Sequence, residues 1–237
     1  MPGLRPGSWP RRSDLEALLP HNGVAVLAYD KRGIGQSGGV YPGESPTADA
    51  IDVLARDAAA AARVLAAEPG IDPRRVGLAG HSQAGWIAPL AASREAAIRF
   101  LVVFSGPTVT ADENDLFQTL AGEGEQPATL TDAEIDAQVL RAGRHGVDPQ
   151  PWLRTLTIPS LWLYGGRDSF IPPRLSIQRL DAIPGNRIET AVFPDANHAL
   201  VETRIGLTSE MLRSDTFAPG LFARVGAWLR AHHLDSV

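Results

Sequence analysis

The chain of 237 residues contains no cysteine, which excludes disulfides, thiolate metal sites and a cysteine nucleophile while leaving the redox compartment open. It also lacks a basic excess: 22 Lys and Arg stand against 27 Asp and Glu, a formal net charge of −5. Without a run of basic residues there is no basic face to meet phosphates, so nucleic acid is not an expected partner. No apolar stretch is long enough to span a bilayer, and the opening MPGLRPGSWPRRSD has no apolar core of a secretory signal. The expectation is a cytoplasmic protein with no membrane partner. There is no internal repeat, and no low-complexity tract beyond the alanines of 58–62, which favour helix.

With 44% hydrophobic residues, the chain can bury one substantial core, so a single domain over 1–237 is expected. VAVLAY (24–29) is a continuous apolar run between Asn22-Gly23 and Asp30-Lys31-Arg32-Gly33 and reads as a buried strand. Residues 47–68 read as an Ala-rich helix, with Ile51, Leu54, Ala58, Ala62 and Leu65 recurring every three or four positions and Pro69-Gly70 as its stop. RVGLA (75–79), FLVVFS (100–105), PSLWLYG (159–165) and RIETAVF (187–193) are further strand candidates, and helices are expected over 82–93, near 173–182 and over 220–233. Short buried strands alternating with helices imply an α/β fold with a mostly parallel, covered sheet. Residues 107–151 break this rhythm and are too long for a simple connection. Thr131-Asp132-Ala133-Glu134 has the spacing of a capping box, so a helix is expected from there to about Ala142 and a helical lid insertion over 107–151. A solvated surface excursion is the plainer alternative.

The stretch GLAGHSQAGWIAP (77–89) raises the chemical question, because Ser82 could simply cap a helix. Its setting between a strand and a helix, with small residues on both sides, is that of a sharp turn that lifts a hydroxyl above a sheet. The pattern G-x-S-x-G is nearly met: Ala84 stands where the last glycine belongs, and Gly85 follows it. A serine hydroxyl needs a base, and the base needs an acid to fix its tautomer. Asp168, in YGGRD, and His198, in FPDANH, both follow strand candidates, where sites collect in open α/β sheets. The order Ser82, Asp168, His198 is the order such a triad takes on this kind of fold. Asp195, three residues before His198, is an alternative acid. The other histidines, His21, His81, His145, His232 and His233, read as turn, packing or surface residues, and Trp86 as either a lining of the acyl pocket or core.

Taken together, YDKRGIGQSGG (29–39), GHSQAGW, LYGGRDSFIPP and PDANHAL resemble the α/β-hydrolase superfamily, specifically its bacterial serine hydrolases and esterases, from about Gly3 to Leu234. The resemblance implies an α/β-hydrolase fold and places the acid at Asp168. It assigns Asp30 and Arg32 to a structural turn. It also implies an oxyanion hole built from the Gln83 backbone N–H and a second N–H in an earlier loop, for which Leu4 in Pro2-Gly3-Leu4 is the counterpart. On this alignment no residues remain for the strand before that loop, so N-terminal strands of the sheet are expected to be missing.

These readings give a serine hydrolase of small-molecule carboxylic esters or thioesters, with Ser82 as nucleophile, His198 as base, Asp168 as its orienting acid, and no metal or organic cofactor. Short-peptide cleavage and acyl transfer belong to related folds and are carried as alternatives. A rival from another class is a catalytically silent hydrolase-like domain that binds a ligand or partner. The sequence does not specify an oligomeric state.

Overall fold

Among the described residues, Thr47 begins the first regular element, its hydroxyl accepting from the Ala50 N–H at 3.2 Å to cap helix α1 (Ala48–Ala67). The computed structural model describes residues 24–185, 187–211 and 216–234. After α1 and a short 3-10 turn (Pro73–Arg75), the chain alternates: β1 (Leu78–His81), α2 (Ala84–Arg94), β2 (Leu101–Phe104), α3 (Ala111–Leu120), α4 (Asp132–Ala142) and α5 (Gln150–Thr155). It continues through β3 (Ser160–Gly165), α6 (Pro173–Asp181), β4 (Ile188–Phe193), α7 (Thr208–Met211) and α8 (Leu221–Ala231). The strands form one parallel sheet in the order β1-β2-β3-β4, with Leu101 opposite Ser160 and Ser160 opposite Ile188.

Both faces of this sheet are covered, which is why its central strands read as unbroken apolar runs. Leu101, Val103, Trp162 and Tyr164 point into a cluster with Ile51, Ala58, Trp86 and other residues of α1 and α2. Their alternates Val102, Phe104, Leu161 and Leu163 meet Leu221, Val225, Trp228 and Leu229 of α8 on the opposite face. The alanine-rich surfaces of α1 and α2 pack against each other beneath the first of these clusters. Residues 107–151 fold as α3, α4 and α5 around a third cluster that joins Val109, Phe117, Ile135 and Val139 to Leu175 of α6. Of the described helices, none is long and apolar enough to cross a membrane.

Two strand expectations are corrected: the strand expected over 75–79 lies at Leu78–His81, with Arg75 in the 3-10 turn before it, and the run at 24–29 is not a strand. VAVLAY (24–29) forms no strand, and several of its side chains are exposed, Leu27 and Tyr29 among them. A strand exists through its ladder, and among the described residues the four-stranded sheet has β1 at its edge and does not incorporate this run. Residues 24–29 instead line, with β1, α1 and α8, a groove of about 570 Å³ among the described residues.

Candidate active site

The site is built where β1 turns into α2. Ser82 sits at φ 55°, a left-handed conformation that costs a non-glycine residue on the order of 1–2 kcal/mol. Its N–H donates to the Phe104 carbonyl at 2.9 Å, so the turn is pinned to the end of β2 while the hydroxyl is turned outward. Gly85 allows the turn to lie against the start of the helical insertion: a Cβ there would fall 2.3 Å from the Pro107 carbonyl oxygen. The close approach that the motif leads one to expect at position 84 is therefore met one residue later.

His198 reaches Ser82 from the turn after β4. Asn197 Oδ1 accepts from the Ala199 N–H at 2.9 Å and shapes that turn, in which Leu200 has φ 55°. The turn lies against the end of β3, where a Cβ on Gly165 would meet the Asn197 carbonyl oxygen at 2.3 Å. His198 Nε2 is 3.0 Å from Ser82 Oγ, and His198 Nδ1 is 2.8 Å from Asp168 Oδ2. Since a carboxylate only accepts, Nδ1 carries the hydrogen and Nε2 offers its lone pair to the serine O–H. Asp168 is 6% exposed, and its other oxygen accepts from the N–H groups of Phe170 at 2.8 Å and Ile171 at 3.0 Å. The carboxylate is thus fixed by backbone on one side and faces the imidazole with the other.

Three neighbours were given no part in the chemistry by the sequence, His81 being read there as a turn, packing or surface residue. The His81 and Phe170 rings lie against His198, with centroids 4.4 and 5.1 Å away. Burial, with His198 beside it, holds the His81 imidazole well below the usual histidine range. Lys31, the only lysine of the chain, donates to Gln83 Oε1 at 2.8 Å, and burial lowers its pKa against the opposing pull of Glu44. The signal available in the sequence for His81 and Lys31 was adjacency to Ser82 and to the DKRG turn, whereas ring packing on His198 is a property of the folded chain.

The other expected residues are placed as follows. Gln83 occupies the N-terminal end of α2, where the first N–H groups of a helix have no intrahelical acceptor and face the positive end of its dipole. Leu4, expected as the second oxyanion donor, lies outside the described residues. Trp86, expected as pocket lining, is 4% exposed in the core, its Nε1 donating to the Val109 carbonyl at 3.0 Å. The helical turn directs position 86 inward, so it braces the insertion. Asp195, the alternative acid, is exposed and paired with Arg167 at 2.7 Å. Asp30 Oδ2 accepts from the Gln36 N–H at 3.1 Å and Arg32 pairs with Asp57, so both hold the turn together. Among the described residues, no three His, Asp or Glu side chains gather as metal ligands.

Residues 11–131 match the model of a hydrolase family described as serine aminopeptidase, S33, a match that includes Ser82. Among solved structures, the chain is similar to an esterase of Pyrococcus furiosus at 19% identity and a TM-score of 0.62, covering 92% of this chain and 75% of the other. It is also similar to the esterase domain of a Rhodothermus marinus protein, at 16% identity, TM-score 0.54, and coverage of 92% and 79%. Acetyl xylan esterase 1 from Thermoanaerobacterium sp. aligns at 21% identity and TM-score 0.52, over 89% and 72% of the two chains. Comparison with curated protein sequences gives no match.

Proposed function

The chain belongs to the serine aminopeptidase S33 family of hydrolases, and on that premise we propose that it cleaves small carboxylic esters or thioesters through an acyl-enzyme on Ser82. The observation that carries this reading is the hydrogen-bonded line from Ser82 through His198 to Asp168, 3.0 and 2.8 Å per link. His198 Nε2 takes the Ser82 proton as Oγ attacks the acyl carbon, and returns it to the departing alkoxide or thiolate. The Gln83 N–H and the α2 dipole meet the oxyanion. Water, deprotonated by the same Nε2, then releases the acid and restores the serine. Asp168 stabilises the imidazolium at each stage.

Aminopeptidase action is the second reading, favoured by the description of the family. A substrate α-ammonium requires a carboxylate near the scissile bond, and the Gln83 side chain stands between Lys31, which donates to its Oε1 at 2.8 Å, and Glu44, whose main-chain carbonyl accepts from its Nε2 at 3.3 Å. The test is a series of p-nitrophenyl esters of increasing acyl length beside aminoacyl p-nitroanilides, run with the parent protein and Ser82→Ala. Short-chain ester hydrolysis abolished by Ser82→Ala, with fluorophosphonate labelling of Ser82 in the parent, is the expected result. A folded parent that is neither labelled nor active favours the silent binding domain, and equal rates for parent and Ser82→Ala reject Ser82 as nucleophile.

A further inference from the structure

Among the described residues, two hydrogen bonds cross the gap between the β1–α2 turn and the turn after β4. One is the Ser82–His198 contact at 3.0 Å; the other runs from His81 Nε2 to the His198 main-chain carbonyl at 2.9 Å. A carbonyl oxygen only accepts, so His81 Nε2 carries a hydrogen and donates it. Because His81 and Ser82 are consecutive, the second link ties the backbone of the base to the residue beside the nucleophile. The His81 ring also lies against the His198 ring at 4.4 Å.

We propose that His81 is a positioning residue that sets the reach of His198 toward Ser82, a role that rests on the reading of His198 as the base. The main chain of the His198 turn is also held by local bonds, Asn197 Oδ1 accepting from Ala199 and the Asn197 carbonyl from the Leu200 N–H at 2.9 Å, and by two longer-range ones, the Arg167 N–H to the Ala196 carbonyl and the Ala218 N–H to the Leu200 carbonyl, both at 2.9 Å. Those bonds shape the turn and hold it to the end of β3 and to the segment before α8, but none of them reaches across the distance to β1. The His81 bond spans that distance, and its ring contact limits rotation of the imidazole between Asp168 and Ser82. Among the described residues, the charges of His198 and Lys31 act on His81, and both disfavour a second proton on the ring. The neutral ring retains its Nε2–H and therefore its donor function. Misplacing a reacting group by about 1 Å can cost on the order of 100-fold in rate, so the effect belongs in kcat.

The test compares His81→Leu, His81→Gln and His81→Asn with the parent on a p-nitrophenyl ester, with melting curves to establish folding. Leucine keeps apolar volume without a donor. The glutamine amide nitrogen reaches the place of imidazole Nε2, and that of asparagine does not. Expected is a loss of about 10- to 100-fold in kcat for His81→Leu at little-changed KM, with substantial recovery in His81→Gln. Should His81→Leu fail to fold, the remaining pair decides: His81→Gln exceeding His81→Asn in kcat supports the role, and equal values overturn it. Parent-like kcat in a folded His81→Leu, or recovery no better in His81→Gln than in His81→Leu, also overturns it. Ser82→Ala separates the two levels, because a parent whose activity survives Ser82→Ala removes the catalytic reading itself, whereas activity lost in Ser82→Ala but intact in His81→Leu removes only the role of His81.

Discussion

Asp168 illustrates how much a single side chain can determine. One of its oxygens is occupied by the Phe170 and Ile171 N–H groups, so the atom facing His198 is set by backbone that does not rearrange easily. In Asp168→Asn, the amide oxygen stays with those two N–H donors, and the NH₂ group is left facing His198 Nδ1. The imidazole must then present a lone pair at Nδ1 and carry its hydrogen on Nε2, the tautomer that cannot accept the Ser82 proton. The expected outcome is a fall in kcat on the order of 10⁴ with a nearly unchanged fold. Ester turnover by Asp168→Asn within tenfold of the parent, with the melting temperature preserved, would rule out this role for Asp168.

At the scale of elements, the helical insertion is joined to the sheet domain by buried polar contacts as well as by apolar packing. Glu113 of α3 completes the Thr110 capping box, its Oε2 accepting the Thr110 N–H at 2.8 Å, and is also paired with Arg179 of α6. Glu113 is 1% exposed, and Arg179 and the capping hydrogen bonds draw its carboxyl below the usual range against the opposing effect of burial. Arg179→Met strands that carboxylate and should destabilise the protein by about 3–5 kcal/mol, whereas the double variant Arg179→Met/Glu113→Gln should recover part of the loss. Denaturant unfolding of the three proteins checks this, and additive losses would refute the coupling. The insertion also marks the limit of what the sequence made legible. Thr131 and Glu134 advertised α4 through their spacing, and Thr110-Ala111-Asp112-Glu113 carries the same signal for α3. The apolar runs 100–105, 159–165 and 187–193 were readable as strands because both faces or one face of each is covered by local neighbours in the sheet. VAVLAY has the same composition but no place in the ladder, and pairing depends on distant segments that local pattern does not reveal. Within the site, Ser82, Asp168 and His198 stood out through motif and order. Trp86 did not reveal its direction, and His81 acquired significance only when folding brought position 198 alongside it.

For the molecule as a whole, the response to acid should come in two stages, because two kinds of group change protonation on unfolding. His81 is held well below its unfolded value of about 6.5, so at pH below that value the unfolded chain binds a proton that the folded chain refuses. Its contribution is complete above about pH 6.5 and declines as the pH falls. Glu210 accepts from the Ile205 N–H at 2.9 Å, the Gly206 N–H at 3.1 Å and the Thr203 hydroxyl, and these bonds bring its carboxyl down to about 2. Its contribution is present above the unfolded value of 4.5 and is lost as the pH falls from there through about 2. Asp72, held to about 2 by Arg74, acts over the acid range with the same sign. Melting temperature measured from pH 8 to pH 2.5 should therefore begin to drop near neutrality and drop further below about 4.5. The two groups are separable by substitution: His81→Gln should flatten the upper window, while Glu210→Gln should flatten only the lower. If both variants keep the parent's slope in both windows, these groups do not govern the acid response; if each flattens its own window, His81 at the end of β1 and Glu210 in α7 set the acid limit of the fold.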